Sequence, residues 1–192
     1  MGMYTGLRFK GIIKEEYRDD INTLINDKDC FKWGNLQHEL FEKYDKVSRS
    51  SFIPFGDLSY MPDSWEKDTG KRDEYGYKIT KDTDGFDRKF DRETGLLAFQ
   101  CSLKDYDDTI EYFLNNILIA ICEKAYHIEE LYEENNISTM YKIENDKLIT
   151  LDKGIRYNEY DRDYNYFTGE EYHQNEDFYK FDEYDFTYGG IC

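Results

Sequence analysis

The stretch LLAFQCSLKDYDDTIEYFLNNILIAICEKAYHI, residues 96–128, carries the clearest pattern in the chain. Its first eight residues, Leu96 to Leu103, form an apolar run, and such a run predicts a well-buried strand. After Asp105 the period changes. Ile110, Phe113, Leu114, Ile117, Leu118, Ile121, Ala125 and Ile128 recur at three- and four-residue spacing. That spacing predicts one long helix, apolar over a broad arc, packed on a sheet face. Asp105 is placed to cap it, with Asp108 three residues on as an imperfect capping box.

On the N-terminal side, Leu7, Phe9 and Ile13 are separated largely by charged residues, which predicts a strand. Tyr17, Ile21, Leu24 and Ile25 then share one helical face behind the early acids Glu15 and Glu16, and Asn26 and Asp27 end that helix. A second helix is expected from Asn35 to about Val47, with Leu36, Leu40, Tyr44 and Val47 on one face. SFIPFGDLSYMP follows, where Pro54 argues for an edge strand or a bulge. Asp63 to Gly95 is the most polar part of the body and predicts a long, partly ordered excursion with a small charged hairpin around Tyr75 to Ile79. On the C-terminal side, STMYKI and KLITL flank Glu144-Asn145-Asp146, a hairpin turn. The fold class is therefore α+β: a mainly antiparallel sheet with one long and one or two shorter helices on one face. A split βαβ arrangement of the ferredoxin-like type is one candidate.

Two units are expected in the 192 residues: an α+β domain, 1–153, and an acidic, aromatic-rich segment, 154–192, packed on it or extending from it. The formal net charge is −17, from 42 acidic and 25 basic residues. A surface this negative repels phosphate, so direct binding of nucleic acid or of an anionic membrane is disfavoured. Cationic partners are favoured instead: a basic protein surface above all. The opening MGMYTGLRFKGII has no sustained apolar core of a signal peptide, and no apolar stretch is long enough to span a bilayer. Cys30, Cys101, Cys122 and Cys192 form no CxxC pair, so reduced thiols and a cytoplasmic location are the default expectation.

Motifs that name a reaction are missing. Asp82, Asp84, Asp87 and Glu93 form a weak calcium candidate, because Glu93 falls eleven residues after Asp82. Gly85 stands too early for an EF-hand loop, however, and Phe86 occupies a position that should offer oxygen. Cys101 and His127 are the one candidate thiolate–imidazole pair, and buried strand cysteines are usually core residues. His38, His127 and His173 lack zinc-ligand spacing. No phosphate-binding glycine loop and no GxSxG elbow appear, and no cofactor is implied.

The segment from Arg156 to Cys192 holds three basic residues against ten acids. The candidate partner-binding residues lie here: Glu159, Asp161, Asp163, Tyr164, Tyr166, Glu170, Glu171, Glu176, Asp177, Tyr179, Asp182, Glu183, Tyr184 and Asp185. Carboxylates interleaved with aromatic faces present something like a nucleic-acid strand to a groove of Lys, Arg and stacking surfaces. Phe178, Phe181 and Phe186 could equally pack on the body while the acids face water. In composition, though not in any motif, the chain is similar to phage-encoded inhibitors and nucleic-acid mimics. The expected function is a non-enzymatic acidic protein that blocks the basic, nucleic-acid-binding surface of a partner such as a defence nuclease or effector. The alternatives are an immunity protein that neutralises a toxin nuclease, and an enzyme or small-ligand binder with a pocket between helix and sheet.

Overall fold

A computed structural model describes residues 3–28 and 32–157. Cys30, Cys192, His173 and every candidate partner-binding residue from Glu159 to Asp185 lie outside the described residues.

Six strands form one antiparallel sheet in the order β4-β5-β1-β6-β7-β8. They are β1 (Tyr4–Ile13), β4 (Lys89–Phe90), β5 (Leu96–Lys104), β6 (Cys122–Tyr132), β7 (Thr139–Glu144) and β8 (Lys147–Thr150). The strand nearest the N-terminus is central. Phe9 pairs with Phe99 on one side and Ile128 on the other. Strands β5 and β6 run parallel with β1 between them and a helix joining them, which is one split βαβ unit. The ferredoxin-like arrangement goes no further, because the rest of the sheet is hairpins and a meander. The β7–β8 turn forms as expected, with Asn145 and Asp146 both at positive φ, 51° and 55°. That pair of angles is the two-residue turn whose twist matches a hairpin.

The connecting helix, here α3, is one continuous run. It has an α-helical turn Thr109–Tyr112, a π-helical segment Phe113–Leu118 and a last α-helical turn Ile119–Ile121. Asp105 caps it, its Oδ1 accepting from the Thr109 and Ile110 amides, while Asp108 sits in left-handed geometry at the N-cap without a side-chain bond. The expected long helix ends seven residues early, since Cys122 to Ile128 belong to β6. Ile121 at the end of the helix and Ile128 in β6 both enter the main core, so one apolar run at helical spacing is divided between two elements.

α1 (Arg18–Asn26) follows a 3-10 turn at Glu15–Tyr17, as the acids predict. α2 is shorter than expected, Glu39–Asp45, and a 3-10 turn at Trp33–Asn35 replaces its first part. SFIPFGDLSYMP contains no strand. It forms the 3-10 turn Ser50–Phe52 and a series of turns that send Ile53 into the core. Gly56 then passes so close to Ser102 O that no side chain would fit there. The polar excursion is more ordered than its composition suggests. It holds the exposed hairpin β2 (Glu66–Arg72) and β3 (Lys78–Asp82), and its aromatics Trp65 and Phe86 are fully buried.

The sheet thus has two covered faces. Leu7, Phe9, Ile13, Leu97, Phe99, Cys101, Leu103 and Ile128 meet the three helices in the main core. Trp65, Met61, Leu58, Leu131, Ile155 and Tyr157 form a smaller cluster, with Leu131 coming from the opposite sheet face. The C-terminal segment therefore begins inside the body. Residues 154–157 pair beside β7, with Ser138 N bonded to Ile155 O and Tyr157 N to Asn136 O, at 2.9 and 2.7 Å.

Candidate functional site

The charged positions of β1 do not face water. Arg8 and Lys10 point to the face opposite the helices and are each about 1 % exposed. The Arg8 guanidinium lies between the Trp65 and Phe86 rings, 4.3 and 4.6 Å from their centroids. Its Nε donates to Gln100 Oε1 at 2.9 Å, and Nη1 pairs with Asp84 at 3.4 Å. Gln100 Nε2 donates onward to Trp65 O and Asp82 Oδ1, both at 2.9 Å. Next to Arg8 on the other side is Glu129, buried, with His127 Nε2 at 2.9 Å from one oxygen and the Tyr157 hydroxyl donating to the other at 2.8 Å. Burial alone would push the Glu129 carboxyl up. The His127 hydrogen bond and charge, Arg8 and the Tyr157 hydroxyl outweigh it and hold it below the ordinary range. Burial and the Glu129 charge push Tyr157 well up, so it stays a neutral donor.

This network ties the sheet, the polar excursion and the root of the C-terminal segment together. It also overturns the thiolate–imidazole pair. Cys101 faces the helices and His127 the opposite side, so the sheet separates them. Burial pushes the Cys101 thiol up, away from a reactive thiolate. Of the calcium candidates, Asp82 and Asp87 line one cavity, but the four do not converge on a metal site. Asp82 bonds Gln100, Asp84 pairs with Arg8, and Glu93 sits in the β4–β5 turn, where its carbonyl accepts from Arg18. Among the described residues no group of three His, Cys, Asp or Glu is arranged to hold a metal ion. Nor, among them, is any helix long and apolar enough to cross a membrane.

The distinctive surface lies where β1 begins and β5 and β6 end. Three cavities open there. One of about 490 Å³ is lined by Asp63, Glu133 and Glu134, with Tyr60, Met61, Leu131 and Tyr157. A second of about 400 Å³ lies between α3 and the β6–β8 sheet and gathers Asp105, Asp108, Glu111 and Glu130. A third, of about 330 Å³, adds Asp107. Among the described residues no Lys, Arg or His lines any of the three, and none of these eight carboxylates takes part in an ion pair. Burial raises the Asp105 and Glu130 carboxyls, and neighbouring acids add to it: Asp108 for Asp105, and Asp105 with Glu111 for Glu130. The Tyr141 hydroxyl, 2.8 Å from Glu130, offsets only part of this.

Glu130 consequently costs stability when charged. Its folded pKa lies above the unfolded 4.5, so its favourable contribution is complete below about pH 4.5 and is lost as pH rises through the folded value. Glu130→Gln keeps an acceptor for Tyr141 without the charge. At pH 7 it should unfold at higher urea concentration than the parent, and the gain should vanish by pH 4. A variant less stable at pH 7, or a gain independent of pH, contradicts this electrostatic account.

None of the eight carboxylates was a predicted site residue. The signal was present in KDYDD and YEEN, short acidic runs directly after the ends of two buried strands. Comparison with protein-family models, with curated proteins and with solved structures gives no match for the chain.

Proposed function

We propose that the protein is a non-enzymatic acidic binding protein that occupies the basic, nucleic-acid-binding surface of a partner, in the manner of a phage-type inhibitor of a defence nuclease or effector. The observation that carries the reading is the acidic end of the sheet: eight carboxylates around three cavities whose described linings include no Lys, Arg or His. Asp105 caps α3 and Glu130 accepts from Tyr141, but gathering eight acids at one end works against folding, since like charges at short range destabilise, and an unmatched acidic surface draws cations. The chain leaves this same end at Tyr157 and continues into residues 158–192, where the acids and aromatics of the sequence are densest. Carboxylates on the body and on the segment would pair with Arg and Lys that otherwise hold phosphates.

The test is capture from a host lysate at low salt with the full chain and with a chain ending at Tyr157, which keeps the packed residues 154–157. The expected result is one basic nucleic-acid-binding protein, retained by the full chain and released by a competing oligonucleotide. Retention that excess nucleic acid does not disturb sinks the mimic reading. A second measurement addresses the body itself. Asp107→Asn, Asp108→Asn, Glu111→Gln and Glu134→Gln together should slow association with that partner about tenfold or more at low salt, and much less at high salt. Equal rates at both salt concentrations remove the body's acids from the interface.

A further inference from the structure

The largest of the three cavities combines apolar walls with carboxylates and opens beside an exposed aromatic ring. Its volume, about 490 Å³, lies in the range of small-ligand sites, roughly 300–1,000 Å³. Met61 and Leu131 supply an apolar wall, and Asp63, Glu133 and Glu134 supply charge. Glu133 Oε2 is buried, and no hydrogen-bond donor among the described residues reaches it. A buried carboxylate oxygen without a donor is costly, and an incoming N–H would relieve it.

The rim points to the shape of that donor. Tyr60 is held at φ 63°, in the left-handed region that bulky residues avoid. Strain of this kind persists only where the surroundings impose it. Here it leaves the Tyr60 ring 73 % exposed at the cavity mouth and stacked on Tyr4 at 5.2 Å, while Lys104 already lies over Tyr4 at 5.3 Å. An aromatic face beside paired carboxylates suits a planar cation. A guanidinium stacks on the ring and bonds carboxylates through its fork, which a compact ammonium does not do. A metal ion is disfavoured, because among the described residues no group of three ligating side chains is arranged for one.

We propose that this cavity is a receptor for an arginine side chain. That the arginine belongs to a protein partner rests on the reading above. The guanidinium enters over Tyr60, its stem lies along Met61 and Leu131, and its donors reach Glu133 with Asp63 or Glu134 beside it. The experiment titrates the full-length protein with N-acetyl-L-arginine amide, followed by NMR shifts, against the matching lysine and citrulline amides. The arginine amide should bind at least about tenfold more tightly than either. Glu133→Gln should weaken it by a similar factor. Tyr60→Gly, which removes the ring and relieves the backbone, should weaken it too without lowering stability. Equal binding of the lysine amide, or arginine binding unchanged in both variants, overturns the receptor. If the arginine amide does not bind while the full chain still captures its basic partner, the receptor falls and the acidic-binding reading stands. Arginine binding without any captured partner does the reverse.

Discussion

Arg8→Ala should destabilise the protein by about 3–5 kcal/mol, the range seen when one member of a buried charge group is removed. Three losses combine. Glu129 keeps His127 and Tyr157 but loses a nearby positive charge inside a buried layer. Gln100 Oε1 loses its donor. Trp65 and Phe86 lose the cation they enclose, an interaction of about 2 kcal/mol when desolvated. The ion pair to Asp84 contributes little, because that side chain is 43 % exposed. Arg8→Met restores volume without charge, so the difference between Met and Ala reads packing alone. Arg8→Lys keeps the charge but not the planar stack and should recover only part of the loss. Guanidinium chloride unfolding measures all three, and a cost under about 1 kcal/mol for Arg8→Ala would falsify this view of the buried layer.

Trp33→Ala should cost about 3–5 kcal/mol as well, from the other side of the sheet. Trp33 is 2 % exposed and lies in ring contact with Phe41, Tyr44 and Phe113, at centroid distances of 5.3, 5.2 and 6.0 Å. It therefore joins α2 to the π-helical part of α3. Its Nε1 also donates to Ile53 O at 2.7 Å, satisfying a buried carbonyl in a stretch with no strand partner. Trp33→Phe keeps most of the ring contact and loses that bond, so about 1 kcal/mol of its cost reports the hydrogen bond. If Phe and Ala variants unfold alike, packing is not what Trp33 supplies.

The two variants also show what the sequence could and could not reveal. β5, the first helix and the β7–β8 turn were legible, because period and turn residues agree there with the final packing. Cys122 to Ile128 was not, since Ala125 and Ile128 prolong the helical spacing although both lie in β6. Arg8 and Lys10 alternate with Leu7 and Phe9 as a solvent-facing row would. Burial of that row depends on Trp65 and Phe86, which arrive from more than fifty residues away in an otherwise polar excursion. Trp65 and Phe86, two of the five aromatics in that charged stretch, were the available hint. The candidate site was half legible for the same reason. Net charge pointed to a cationic partner, but the gathering of Asp63, Asp105, Glu130 and Glu133 at one end is a product of strand order, which no local pattern encodes.

Strand order also sets a timetable for synthesis. β1 is made first, yet both of its neighbours come late: Phe9 waits for Phe99 and for Ile128. At roughly 5–20 residues per second, about 6–24 s pass between translation of Phe9 and of Ile128. Until β5 emerges a strand carrying Leu7, Phe9 and Ile13 has both edges unsatisfied, and until β6 emerges it still has one, the condition under which chains pair with one another instead of with themselves. Arg8 and Lys10, so costly to bury in the finished sheet, are during those seconds the charges that keep the nascent strand apart from its copies.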